Sequence, residues 1–428
     1  MAGVSTRAGQ FVKQPLGYRT FRPAPLPPDP AISFDPQLIK LLSAADQALG
    51  RLDGVARMMP NPNLFVAMYV RQEAVLSSRI EGTQSTLDDV LAFELDEQSR
   101  EIPLDVEEVV NYVRAMNYGL DRASSLPPSR RLIREIHAEL LQGVRGADKR
   151  PGPGGEIILR QVQELQGVRG ADKRPGEFRT EQNYIGAGRV PIERATFIPP
   201  APDDMDNSLD AFERFLNEDA ELPPLIHCGL AHAQFETIHP FMDGNGRVGR
   251  LLITFLLCYR GILHRPLLYL SAFVERHRIE YYDRLMAVRE RGDWEGWLTF
   301  FLQGVLETAT EAAQTAQNIL DLRENHRTLL QDAGASPNAL RLLDLLFERP
   351  LVNVGFIEQS LSITYVTANK LVGQLQRLGI LDETTGQRRN RRYRYTPYLA
   401  LFSERAYDTA DPSTLQTTET VDRAALSG

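Results

Sequence analysis

The chain has 428 residues, 43% of them hydrophobic, with 48 Lys and Arg against 56 Asp and Glu and a formal net charge of −8. That length holds two or three domains with ordinary cores, and the acidic balance excludes wholesale coating of nucleic acid or membrane while leaving room for a local basic patch. The two cysteines, Cys228 and Cys258, fall in apolar helical runs and read as reduced core residues, which excludes a disulfide framework. From the N-terminus, MAGVSTRAGQFVKQ lacks the apolar stretch of a secretory signal, and the longest apolar run, 251–258, is far below the roughly 20 residues that span a bilayer. A cytoplasmic protein with no membrane contact is expected.

Residues 1–36 read as an extended arm, because the prolines from Pro15 to Pro36 forbid regular helix, and the arm is expected to wrap its own domain. An amphipathic pattern predicts a helix from Pro36 to Ala48 and a second over 62–80. Ser77-Ser78-Arg79-Ile80-Glu81-Gly82 follows, which taken alone is a helix end with Gly82 as its stop. Helical periods alternate with polar breaks over 86–142, including a helix from Ser129 to Gln142. Leu141–Gly152 then recurs letter for letter as Leu165–Gly176. A tandem duplication in a surface loop explains it, since doubling a loop adds only about 0.6 kcal/mol. Val190–Ile198 is rich in β-branched residues and closed by Pro199-Pro200, so it reads as a hairpin or edge strand, either structural or able to take a target segment by strand addition. Two helices over 205–238 lead onward, with His227 and His232 read as structural.

At 239–250 stands His239-Pro240-Phe241-Met242-Asp243-Gly244-Asn245-Gly246-Arg247-Val248-Gly249-Arg250. Glycines on both sides of Asn245 let the backbone approach a ligand with its N–H groups turned inward. The apolar run Leu251–Cys258 predicts a buried helix starting there, and a helix N-terminus suits an anion. Arg247 and Arg250, three apart, share a helical face and can grip successive phosphates. Asp243 is a hard oxygen ligand, and Mg²⁺ on a nucleotide takes only one or two protein carboxylates. His239 has the side chain whose ordinary pKa suits removal of a hydroxyl proton at neutral pH.

These residues resemble, position by position, the His-Pro-Phe-x-Asp-Gly-Asn-Gly-Arg-x-x-Arg signature of the Fic (filamentation induced by cAMP) family. The resemblance implies a mainly α fold: a Fic-type helical bundle with a small β-hairpin flap. It implies transfer of AMP from ATP to a Ser, Thr or Tyr hydroxyl of a target protein, with the chain itself among the candidate targets. His239 would be the general base, Asp243 the ligand of Mg²⁺ or Mn²⁺, Gly244, Asn245 and Gly246 the cradle of the α-phosphate, and Arg247 and Arg250 the holders of the outer phosphates. Kinase-like relatives carry another residue at the place of Gly246, which favours nucleotidyl transfer. Ser77–Gly82 is similar to the family's Ser/Thr-x-x-x-Glu-Gly/Asn pattern, which implies an inhibitory helix whose Glu81 pairs with Arg250. The resemblance also places Tyr281 and Tyr282, in Arg278-Ile279-Glu280-Tyr281-Tyr282, beside the adenine, and Thr196 of the flap among the nucleotide-binding residues. Gly176-Glu177-Phe178-Arg179 is similar to the family's approach to the flap. A nucleotide-sensing DNA regulator and an enzyme that removes AMP are the alternatives, and a homodimer stays open.

The bundle is expected to occupy 37–323. Polar residues predict a linker over 324–337 and a separate domain over 338–404. There, helices at 338–348, 352–361 and 364–378, a strand at Gly379-Ile380-Leu381, a turn at Thr385-Gly386 and a strand at Arg391–Tyr395 resemble a winged helix. Arg388, Arg389, Arg391, Arg392 and Arg394 would give a basic wing suited to weak DNA binding over 338–400, with protein contacts as the alternative. The low apolar content of 405–428 predicts a disordered tail.

Overall fold

A computed structural model describes residues 7–58, 62–95, 103–123, 125–142, 174–186, 191–218 and 221–402. The chain divides into two compact units, Met1–Ala313 and Gln314–Gly428.

The first unit opens with strands β1 (Gly9–Lys13) and β2 (Arg19–Pro23), paired antiparallel with Phe11 opposite Phe21. A hairpin inside the proline-rich arm was not expected from composition. It forms because Pro15 sits in the turn, where no ladder donor is needed. Phe21 is fully buried, its N–H donates to the Ile198 carbonyl at 2.9 Å, and the Gln234 amide donates to the Ala24 carbonyl at 2.8 Å. The arm is thereby clasped to its own unit.

Helix α1 (Pro36–Met58) runs ten residues beyond the expected end at Ala48, because Leu49, Leu52 and Ala56 continue its buried stripe past Gly50. Helix α2 (Pro62–Ile80) ends as expected, and the chain turns at Glu81 and Gly82, where Gly82 takes φ 101°. Then come α3 (Leu87–Leu95), α4 (Leu104–Ala123) and α5 (Arg130–Leu140). Ser129 caps α5 by accepting the Leu132 N–H at 3.2 Å. The first repeat copy from residue 143 onward, and the second up to residue 173, lie outside the described residues.

Of the stretch expected as a hairpin or edge strand, residue 190 lies outside the described residues. Ile185 and Phe197 form one antiparallel bridge, and Ile192–Arg194 is a 3₁₀ turn that starts after Pro191. Pro199 and Pro200 offer no ladder donors, which stops the pairing there. Helices α6 (Pro202–Asn217), α7 (Pro224–Ile238), α8 (Asn245–Tyr259), α9 (Ser271–Arg276) and α10 (Arg278–Arg291) follow. Every residue of α7 after Pro224 is buried, the signature of a helix surrounded by core. Its partner α8 is buried continuously from Arg247 to Leu257, so the short loop between the two is mounted on two core helices. Among the described residues no helix is long and apolar enough to cross a membrane.

Helix α11 (Trp294–Asp332) passes straight through most of the expected linker. Its polar residues there form a solvated helix face, with Leu330 still fully buried, and the chain turns only at Gly334, which takes φ 65°. The second unit continues with α12 (Pro337–Glu348), β3 (Leu351–Val352), α13 (Val354–Leu361), α14 (Tyr365–Arg377), β4 (Asp382–Glu383), β5 (Tyr393–Arg394) and α15 (Thr396–Leu399). Its three strands form an antiparallel sheet in the order β3-β5-β4. The strand expected at 379–381 lies slightly later, at β4, because Gly379 takes a left-handed turn with φ 70° that ends α14. The tail expected over 405–428 lies outside the described residues.

Candidate active site

Helix α7 stops at His239, whose backbone is left-handed with φ 49° and ψ 61°. For a residue with a Cβ this conformation costs roughly 1–2 kcal/mol and persists only where its surroundings impose it. Arg179 supplies much of that constraint. Its Nε donates to the His239 carbonyl at 3.0 Å, its backbone N–H to the Pro240 carbonyl at 2.9 Å, and another guanidinium nitrogen to the Pro200 carbonyl at 2.6 Å. The Asn183 amide donates to the Phe241 carbonyl at 2.8 Å. The Asn245 side chain closes the loop from within, accepting the Phe241 N–H and donating to the Phe241 carbonyl, each at 2.8 Å.

Phe241 is fully buried and stacks on the His137 ring, with centroids 3.7 Å apart. Nδ1 of His137 accepts the Gly176 N–H at 2.9 Å, so its Nε2 carries the proton that is donated to the Asp243 carbonyl at 3.0 Å. The end of the second repeat copy thus buttresses the loop through His137. Arg179 was named in the sequence only as part of the stretch similar to the flap approach, and Asn183 and His137 were not picked out. They lie tens of residues from the motif, and no local pattern ties them to it.

At the start of α8, Gly244 takes φ 80°, and the Asp243 carboxylate accepts its N–H at 2.7 Å. Helix geometry leaves the amides of Asn245, Gly246 and Arg247 without acceptors in a preceding turn, which makes this end an anion site. Arg247 donates to Glu108 at 3.0 Å and lies 3.6 Å from Asp243. Arg250 donates through Nε to Ser77 Oγ at 2.9 Å, and through one terminal nitrogen to the Ser77 carbonyl and to Glu81 Oε1, both at 2.8 Å.

Glu81 stands against the first turn of α8. A Cβ on Gly246 would fall 2.2 Å from Glu81 Oε1, so only glycine allows the carboxylate this close. The Arg250 side chain is 2% exposed and that of Glu81 34%. Burial pushes the Glu81 carboxyl up, but the charges of Arg250 and Arg247 outweigh it and hold the group below its ordinary value. An ionised carboxylate therefore lies at the anion-binding end of the helix.

His239 keeps 18% of its side chain exposed. Burial, together with the positive charges of Arg289 and Arg179, pushes its pKa down to about 3, so at neutral pH the imidazole is uncharged and able to accept a proton. Asp243, 34% exposed in its side chain, suits a cation that is otherwise held by water and phosphate oxygens. No cluster of three or more metal-ligating side chains occurs among the described residues.

The two tyrosines expected beside a base are separated by burial. Tyr281 is 1% exposed, and its hydroxyl meets Nε2 of His232 at 2.9 Å among Trp297 and Phe300, which makes it a core residue. Tyr282 is 41% exposed, 5.2 Å from the Tyr281 ring, and is the one available to stack on a ligand. Thr196 is exposed next to the Ile185–Phe197 bridge. His239, Asp243, Gly244–Gly246, Arg247, Arg250 and Glu81 are brought together around one helix end, and Tyr281 is buried near Arg250 with its hydroxyl on His232.

Residues 39–121 match a family model described as Fic/DOC family N-terminal, and residues 127–257 match one described as Fic/DOC family, together half of the chain. Over 126 residues the chain is 35% identical to the protein adenylyltransferase Fic of Culex quinquefasciatus and 36% identical to that of Drosophila melanogaster. Those residues are 29% of this chain and 22% of each relative, so the match spans about a fifth of the relatives' length. A solved structure of a Fic family protein from Desulfovibrio desulfuricans G20 is similar with a TM-score of 0.50 at 20% identity, over 85% of this chain and 97% of that one. That likeness concerns the fold.

Proposed function

The chain belongs to the Fic/DOC family, and from that premise we propose that it transfers AMP from ATP to a Ser, Thr or Tyr hydroxyl of a protein, under restraint by Glu81. One observation carries the reading: an uncharged His239, the Asp243 carboxylate and the first-turn amides of α8 converge on one site with Arg247 and Arg250. Proteins named protein adenylyltransferase Fic share the matched stretch, which supports the same chemistry here.

In this mechanism the amides of Asn245, Gly246 and Arg247 hold the α-phosphate, and Arg250 holds the γ-phosphate. A magnesium or manganese ion bound at Asp243 would supply charge neutralisation for the phosphates. His239 takes the hydroxyl proton at Nε2, the hydroxyl oxygen bonds to the α-phosphorus, the bond from that phosphorus to its bridging oxygen breaks, and pyrophosphate leaves. The protein's share is positioning and electrostatic stabilisation, as in other phosphoryl transfers. Glu81 restrains the reaction by occupying Arg250 and the helix end, so that ATP entering the site lies out of line for attack. Mass spectrometry of bands labelled by ATP carrying the label on its α-phosphate tests the reading. An AMP adduct on a hydroxyl side chain is expected, and the absence of any adduct at every metal and ATP concentration would overturn it.

The second unit supports an additional reading as a winged helix. It has α14 in the recognition position, with exposed Asn369 and Lys370, and exposed Arg388, Arg389 and Arg391 in the loop between β4 and β5. Weak, sequence-tolerant binding of duplex DNA is expected, with affinity falling steeply as salt rises because phosphate contacts release counterions. Absence of binding at low salt would assign this face to protein contacts instead.

A further inference from the structure

We propose that Glu236 is the positioning carboxylate of His239, accepting the imidazole Nδ1–H as Nε2 takes up the proton of the target hydroxyl. The inference rests on the transfer reading above and names a residue beyond it.

Glu236 is the only acidic residue of α7, and it is 6% exposed. Its Oε1 is buried without a hydrogen-bond partner, and so is Nδ1 of His239. The second carboxylate oxygen of Glu236 lies 3.9 Å from that Nδ1. A carboxylate oxygen buried without a donor is costly, and so is a buried imidazole nitrogen without a partner; here the carboxylate and the ring that carry those two atoms lie beside each other. Their separation is about 1 Å beyond a hydrogen bond, a gap that a small rotation of the ring closes. Helix α8 makes room for the carboxylate: a Cβ on Gly249 would stand 2.4 Å from Glu236 Oε1.

The charges around the pair explain why a carboxylate is needed. Arg289 on α10 donates to the Glu236 carbonyl at 3.0 Å, and Arg289 and Arg179 both oppose a positive imidazole. Arg250 on α8 and Glu81 beyond α2 also act on Glu236, while the Glu236 backbone carbonyl faces the His239 ring. When the hydroxyl O–H bond breaks, its proton binds Nε2 and its oxygen bonds to the α-phosphorus as pyrophosphate departs. The imidazolium formed then carries Nδ1–H toward Glu236. An ionised Glu236 both orients the ring with Nε2 outward and offsets the two arginines. Burial pushes the Glu236 carboxyl up to about 7, so it titrates in the range where the reaction would run.

The experiment compares Glu81→Gly with the double variant Glu81→Gly/Glu236→Gln in the full chain, by two independent readouts. The first is kcat and KM for ATP in AMP transfer. Loss of about tenfold to a hundredfold in kcat is expected for Glu236→Gln, with KM for ATP little changed and partial rescue by Glu236→Asp. The second is the tautomer of the uncharged His239 ring, read by NMR of ¹⁵N-histidine-labelled protein without nucleotide. The Nδ1–H tautomer is expected to gain population as pH rises through about 7 and Glu236 ionises, and Glu236→Gln is expected to abolish that pH dependence. Unchanged kcat together with an unchanged pH profile of the tautomer would overturn the proposal and leave the backbone carbonyl as the orienting group. Should the reference protein transfer no AMP at all, the transfer reading fails while the NMR profile still decides whether Glu236 positions His239. If Glu236→Gln does not fold, Glu236→Asp is measured in the same way and an unchanged profile there likewise refutes the contact.

Discussion

Replacing Glu81 by glycine tests the restraint where the geometry is most explicit. The substitution removes a carboxylate that accepts from Arg250 at 2.8 Å and lies against Gly246, while leaving Arg250 its two bonds to Ser77. The arginine therefore stays in place, ready for a phosphate. A charge-assisted hydrogen bond contributes about 1.5–3 kcal/mol, and with a third of the Glu81 side chain exposed the lower end applies. Every 1.4 kcal/mol is about tenfold in productive binding. Auto-adenylylation is expected to rise at least about tenfold, at ATP concentrations both below and above saturation, since in the proposed restraint Glu81 misplaces the nucleotide and does not merely exclude it. Glu81 lies past the last residue of α2, so glycine there does not break a helix. Without nucleotide the variant loses some thermal stability, since a buried guanidinium has lost its counter-charge, and ATP restores it. The assay is the initial rate of α-phosphate label incorporation over a range of ATP concentrations. The double variant Glu81→Gly/Arg250→Ala is expected to cancel the gain. Equal labelling of wild type and Glu81→Gly at every concentration would show that Ser77–Gly82 is only a helix end.

Asp243→Ala is expected to remove metal-dependent turnover while ATP still binds, and equal activity with and without Mg²⁺ or Mn²⁺ in the unsubstituted protein would show that Asp243 holds no metal. Glu73, buried with Oε2 unpartnered beside Tyr112 and Ser271, is pushed by burial up from 4.5 to about 7. The folded form thus holds its proton more tightly than the unfolded chain, so the stability this proton provides is complete below pH 4.5 and is lost as pH rises through about 7. Glu73→Gln lacks that titration, and urea unfolding is expected to show it gaining up to about 3 kcal/mol on wild type between pH 5 and 8. A difference that does not change with pH would refute the assignment.

Much of the site could be read in the sequence because its groups are local. His239, Asp243, Gly244–Gly246, Arg247 and Arg250 sit within one loop and the first turns of one helix, and such spacing fixes their neighbourhood whatever the rest of the chain does. The end of α2 was equally legible, since Gly82 in a left-handed turn stops a helix wherever it occurs. How the loop is held was not legible. Arg179 stood in the stretch similar to the flap approach, but its bonds, like those of Asn183 and His137, reach the loop across 58–106 residues and go to backbone carbonyls, which carry no sequence signal. Tyr281 and Tyr282 are adjacent and chemically alike, so only the packing of His232 and Trp297 separates the buried ring from the exposed one. Glu236 did carry a signal, the single acidic residue of a helix buried after Pro224, three positions before His239. The polar stretch after residue 323 misled because polarity marks solvent exposure, and a long helix with a solvated face shares it with a linker.

In the proposed mechanism His239 is the base through which AMP, and no other part of ATP, is transferred to a hydroxyl. Parallel incubation of Glu81→Gly and Glu81→Gly/His239→Ala with ATP labelled on the α-phosphate or on the γ-phosphate tests it directly. Label from the α-phosphate alone is expected on the first protein and none on the second, with nucleotide binding of the second largely retained because the imidazole is a base and not a phosphate ligand. Incorporation from the γ-phosphate, or undiminished α-phosphate labelling without His239, would contradict the account.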